Sequence, residues 1–130
     1  MKGEVPVLVL VVEDDQSIQG MVEAALTDGG FESSIAATGE EAVALLENEP
    51  DKFQALVADV DLRGAITGWD VARSARELAP DIPVIYTTGA AADQWTSHGV
   101  PNSVLLNKPF ASAQLVTAVS QLLNHIPPPA

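Results

Sequence analysis

The sequence predicts a doubly wound α/β fold with a parallel sheet, on three observations. Five strand signals alternate with five helix signals. The apolar runs at 7–12 and 56–58 are unbroken rather than alternating, the pattern of strands buried on both faces. Carboxylates follow both runs at once, and an open sheet of this class carries its site outside the carboxyl ends of its central strands.

Residues 7–12 are β-branched residues and leucine that stop at Glu13, Asp14 and Asp15, so they predict a central first strand with acids at its end. Ile18, Met21, Ala25 and Leu26 then recur at helical spacing, with Asp15 placed to cap the helix and Gly29 and Gly30 to end it. Residues 31–37 predict a second strand. Thr38 followed by Glu41 forms a capping box for a helix through Ala42, Leu45 and Leu46, which Pro50 closes. Residues 53–59 predict the third strand, and residues 61–68 a loop with two glycines and no apolar periodicity. A helix over 69–79 leads through Pro80 and Pro83 to a fourth strand at 84–88. Residues 89–99 allow a short helix containing Trp95, with mobility expected because the apolar stripe is thin. A fifth strand at 104–106 ends in Asn107, Lys108 and Pro109, and Leu115, Val119, Leu122, Leu123 and Ile126 draw the last helix.

The 130 residues bound one domain, 1–130, with a core over about 6–126 and a short proline-rich tail at 127–130. No cysteine is present, which excludes a disulfide framework, a thiolate metal site and a cysteine nucleophile. The first apolar run is too short and too soon acidic for a signal peptide or membrane span, so a cytoplasmic location is expected. A net charge of −12 disfavours nucleic acid backbones and acidic membranes as partners. Cations and proteins are the expected ones, although a solvated acidic surface accounts for most of the charge.

The strand ends carry the chemistry: Glu13 and Asp14 after the first, Asp59 after the third, Thr88 after the fourth and Lys108 after the fifth. Converging carboxylates repel one another unless a cation neutralises them. An all-oxygen donor set favours a hard ion, Mg²⁺ (or Mn²⁺). With that charge neutralised a phosphoryl group can approach an aspartate, and a lysine can balance its equatorial oxygens. Asp59 is then a nucleophile forming an aspartyl phosphate, and Thr88 a hydroxyl that can follow the new group. No glycine-rich phosphate loop follows the first strand, which disfavours a nucleotide enzyme.

The ordered set VVEDD, ADVDL, TTG and NKPF resembles the receiver domain of two-component response regulators across essentially the whole chain. That resemblance implies a flavodoxin-like (βα)5 three-layer sandwich with strand order 2-1-3-4-5. By position it makes Asp59 the phosphoacceptor, Asp14 a direct metal ligand, Glu13 an acid acting through water, Thr88 the switch hydroxyl and Lys108 the phosphoryl-contacting lysine. The backbone carbonyl of Asp61 completes the implied metal set. The implied donor is a sensor histidine kinase or histidine phosphotransfer protein. The implied output is a protein contact through the fourth helix, fifth strand and fifth helix, here including Trp95, Leu105 and the exposed side of 113–121. The expectation is a stand-alone switch that catalyses its own phosphorylation and dephosphorylation and turns over no external substrate.

Three departures stand out. Leu105 replaces the aromatic that commonly accompanies the switch hydroxyl, the loop after Asp59 is about one residue longer than usual and lacks its proline, and Asp61 and Ala90 occupy positions that tune hydrolysis. Structural roles compete for several residues. Asp15 reads as a helix cap rather than a ligand, and Trp69, Tyr86 and Trp95 as core or partner surface. The Asp61 side chain is either solvated or functional, and at most a modulator. His98 and His125 lack companions at ligand spacing, and His125 complements the helix dipole. Two rivals remain: a pseudo-receiver that binds partners without phosphate, and a toprim-like metal-dependent enzyme using Glu13 and the Asp59–x–Asp61 pair.

Overall fold

The computed structural model describes residues 7–124; His125, Ile126 and the tail at 127–130 lie outside them, as does residue 6. Five strands, β1 (Leu8–Val12), β2 (Glu32–Ala36), β3 (Ala55–Asp59), β4 (Val84–Thr88) and β5 (Ser103–Asn107), form one sheet. Helices α1 (Gln16–Asp28), α2 (Gly39–Asn48), α3 (Gly68–Leu78), α4 (Trp95–His98) and α5 (Ser112–Asn124) connect and cover it, with a 3-10 turn at Ala92–Gln94 before α4. All pairings are parallel and the order is β2-β1-β3-β4-β5, as expected.

The unbroken apolar strands split their side chains between two cores. Val9, Val11, Val57 and Ile85 pack with Val22, Leu26, Leu115 and Val119 from α1 and α5. Leu10, Val12, Leu56, Ala58, Val84 and Tyr86 pack with Ala42 and Leu46 of α2 and with Trp69, Val71 and Ala75 of α3. Successive strand residues point to opposite faces, so a strand covered on both sides must be apolar at every position. Val9 to Val12, and every residue of β3 and β4, are buried. Among the described residues no helix is long and apolar enough to cross a membrane.

Caps set where the helices begin. Asp15 accepts from the Ser17 and Ile18 N–H groups at 2.8 and 3.2 Å, taking up orphan donors of α1. Thr38 accepts from Glu41 N–H at 3.0 Å, but Glu41 answers to Ala37 N–H at 2.9 Å rather than to Thr38, so the expected box closes one residue early. A reciprocal box that the sequence reading did not identify starts α3: Thr67 Oγ1 accepts from Asp70 N–H at 3.2 Å, and Asp70 Oδ2 accepts from Thr67 N–H at 3.0 Å. It puts the helix start at Gly68, where a Cβ would collide with the Asp59 carbonyl. Gly64, at φ +101°, turns the preceding loop in a conformation that a side chain would strain.

The winding direction switches between β1 and β3. The register there, Val12↔Ala58, and next door, Asp59↔Thr87 and Thr88↔Asn107, aligns the carboxyl ends of four strands at one edge.

Candidate functional site

Glu13 leaves β1 while its N–H still donates to Ala36 O at 3.0 Å, which fixes its direction at the sheet edge. Its side chain is 3% exposed. Oε1 accepts from Lys108 Nζ at 3.0 Å and Oε2 from Asp15 N–H at 3.1 Å. Asp59 ends β3, equally buried, with Oδ2 3.2 Å from Lys108 Nζ and Oδ1 accepting from Asp61 N–H at 2.9 Å. Lys108 follows β5 on a cis peptide to Pro109 and donates its N–H to Thr88 O at 2.8 Å. One ammonium therefore bridges two buried carboxylates from two other strand ends.

Asp14 completes the acidic group. Oxygens of Glu13, Asp14 and Asp59 lie within 4.8 Å of one another. Asp14 is the most open of the three, and its Oδ2 accepts from Arg63 N–H at 3.2 Å, with the Arg63 guanidinium 3.7 Å away. Arg63 is the only basic residue of the loop after Asp59 and was not singled out from the sequence, although that isolation was a visible signal. Its pairing with Asp14 is solvent-exposed and worth little energetically.

Electrostatics follow burial. Desolvation raises the Glu13 carboxyl to about 7, against weaker opposing hydrogen bonds from Asp15 N–H and Lys108, while the neighbouring Asp59 adds to the rise. Burial alone would lower the Lys108 ammonium, but Glu13 and Asp59 outweigh it and hold its pKa above the usual lysine value. Three carboxylates against one partly buried ammonium and one exposed guanidinium leave excess negative charge on a donor set made only of oxygen. That set fits a hard divalent cation such as Mg²⁺ and not a soft one.

Thr88 is wholly buried, and its hydroxyl does not meet Asp59 directly. Oγ1 lies 3.2 Å from Asp61 Oδ2, which also accepts from Gly89 N–H at 3.0 Å. The Asp61 side chain is thus hydrogen-bonded although the residue stays exposed to solvent. Asp15 is a cap, as expected, and is absent from the acidic group.

The missing aromatic at Leu105 has a neighbour in register. Tyr86 pairs with Leu105 across β4 and β5, is fully buried, and tilts against Trp69 at 4.6 Å between centroids. Its hydroxyl accepts from Val100 N–H at 3.0 Å, and burial raises its pKa. Beyond it, Trp95 is 36% exposed and donates to Ser103 Oγ at 2.9 Å. Arg76 donates to the Ile82 and Pro101 carbonyls at 2.7 and 2.6 Å, which ties α3 to the segments leading into β4 and β5.

Residues 9–120 match the model of the response regulator receiver domain. A response regulator receiver protein from Sinorhizobium medicae is 42% identical, with a TM-score of 0.89 over 92% of this chain and 95% of that one. The receiver domain of the sensor histidine kinase PA1611 from Pseudomonas aeruginosa is 25% identical, with a TM-score of 0.80 over 93% of this chain and all of that one. Its structure holds a magnesium ion in the active-site cleft. Response regulator SaeR of Staphylococcus aureus is 26% identical over 119 residues, 90% of this chain and 50% of SaeR. The chain spans about half the length of the curated relatives it matches.

Proposed function

The chain belongs to the response regulator receiver domains, and from that membership we propose that it is a phosphorylation-activated switch whose phosphoacceptor is Asp59. A receiver domain is a signalling module of a two-component system rather than an enzyme with external turnover. The observation that carries the reading is the bridge of Lys108 Nζ to Glu13 and Asp59 at 3.0 and 3.2 Å, with Asp14 completing an all-oxygen group.

In the proposed reaction a carboxylate oxygen of Asp59 attacks the phosphorus of a phosphohistidine on a sensor kinase or phosphotransfer protein. The new O–P bond forms as the N–P bond breaks, and the leaving imidazole nitrogen keeps the bonding pair and takes a proton. Asp61 N–H orients the nucleophile through Oδ1. Lys108 is held on the acid pair before reaction and balances charge as it builds on the phosphoryl oxygens, without reorganising from solvent. Asp14, Asp59, Glu13 (through water) and the backbone carbonyl of Asp61 would hold Mg²⁺ or Mn²⁺. The ion would supply the positive charge that lets a phosphate approach this acidic edge. Later attack by water returns Asp59 to its carboxylate.

Thr88 is the proposed switch hydroxyl, and output runs to a protein partner over α4, β5 and α5. Trp95 gives that face exposed apolar surface. The location that goes with such partners is the cytoplasm.

Incubation with Mg²⁺ and a small acyl phosphate, followed by intact mass measurement, tests the reading. One acid-stable, base-labile phosphoryl adduct is expected, lost with chelator and in Asp59→Asn. Adduct persisting in Asp59→Asn, or none in the folded wild type with any donor, contradicts it.

A further inference from the structure

Asp61 is tied at both ends. Its backbone N–H donates to the carboxylate of Asp59, and its own carboxylate accepts from the Thr88 hydroxyl at 3.2 Å and from Gly89 N–H at 3.0 Å. Thr88 Oγ1 in turn accepts from Ala90 N–H at 3.2 Å and Ala91 N–H at 2.8 Å, the residues that lead into the 3-10 turn before α4. A hydroxyl has one proton and two lone pairs. The loop fills both lone-pair positions, and the single proton points at Asp61.

We propose that the Asp61 carboxylate is a latch: it competes with a phosphoryl group on Asp59 for the one proton of Thr88, and meanwhile pins Gly89 and the loop beyond it. The inference rests on the phosphoacceptor reading and adds a restraint to it. Donation of that proton to a phosphoryl oxygen requires its withdrawal from Asp61, so the two arrangements exclude each other. Asp61 acts through Thr88 and is a positioning residue. A second route for its influence is its charge, which would repel a phosphoryl group whether or not Thr88 is bound.

Two substitutions separate these. Asp61→Asn keeps an oxygen that accepts from Thr88 and Gly89 and removes the charge; Asp61→Ala removes both. Neither alters the backbone N–H or carbonyl. Wild type and both variants are titrated with beryllofluoride in the presence of Mg²⁺ and followed by amide NMR. Gly89 amide exchange is also measured without the probe.

The latch predicts that Asp61→Ala lowers the half-saturating beryllofluoride concentration about tenfold, whereas Asp61→Asn stays within about twofold of wild type. Without the probe, Gly89 exchange rises about tenfold in Asp61→Ala and little in Asp61→Asn. Equal gains in both variants assign the effect to charge and overturn the latch, as does no change in either. Failure of all three proteins to bind the probe overturns the phosphoacceptor reading and the competition with it. The probe-free Gly89 measurement still decides whether Asp61 holds the loop.

Discussion

Replacing Lys108 with methionine removes the cation between Glu13 and Asp59 while keeping most of the side-chain volume. Both carboxylates are 3% exposed and lie 3.0 and 3.2 Å from the ammonium, which is itself 20% exposed. Removing one partner of a buried pair costs about 3–5 kcal/mol, because the charge left behind has neither water nor counter-ion. The partial exposure of Lys108 places the expectation at the low end, about 3 kcal/mol. The loss is to be measured by urea unfolding of wild type and variant, without divalent ions, at pH 8 and pH 6. Glu13, with its pKa raised to about 7, is ionised at the higher pH and largely protonated at the lower, so the deficit should be larger at pH 8. Mg²⁺ at about a hundred times its Kd stabilises a binding-competent fold by about 2.7 kcal/mol, and the more negative variant should gain at least as much as wild type. A deficit below about 1 kcal/mol at pH 8, indifferent to pH and Mg²⁺, would refute a charge bridge as the organiser of this edge.

Other outcomes follow from the same geometry. Asp59→Asn removes one of three clustered carboxylates and keeps an oxygen for Asp61 N–H, so the Mg²⁺-free protein should become more stable by about 1 kcal/mol in urea unfolding. In the same assay it should lose most of its Mg²⁺ response. Metal-free stability should also carry a term from Glu13, whose proton is held to about pH 7 when folded against 4.5 unfolded. That term is fully present below 4.5 and lost as pH rises through 7, and Glu13→Gln should abolish it in pH-dependent melts. Tyr86→Phe strips the acceptor from Val100 N–H and should cost about 1 kcal/mol, with faster exchange of that amide.

The fold was legible because its central strands β1, β3 and β4 are covered on both faces, which forces apolar runs such as Val9 to Val12, and because β1 and β3 lead into carboxylates that apolar packing would not select. Glu13, Asp14, Asp59 and Lys108 each sit at or just beyond a strand end, so parallel order and register alone bring them together. The side chain of Asp61 was not legible in that way. Its partner Thr88 is 27 residues away, and their meeting depends on how a loop with Gly64 at positive φ folds back. Arg63 against Asp14 depends on the same loop. The Thr67–Asp70 box was readable in principle as a Thr followed three residues later by an acid. Around Trp95 the thin apolar stripe matches what the structure shows, a 3-10 turn and a four-residue helix with no buried side chain.

Peptide mapping after borohydride reduction of the acyl-phosphate-treated protein tests the central claim most directly. An aspartyl phosphate is a mixed anhydride that the hydride reduces to an alcohol, whereas a free carboxylate is left intact. Conversion of Asp59 to homoserine, dependent on Mg²⁺ and absent when chelator is added, is the expected result. Conversion at Asp14, Asp61 or any other carboxylate, with Asp59 unchanged, would contradict it.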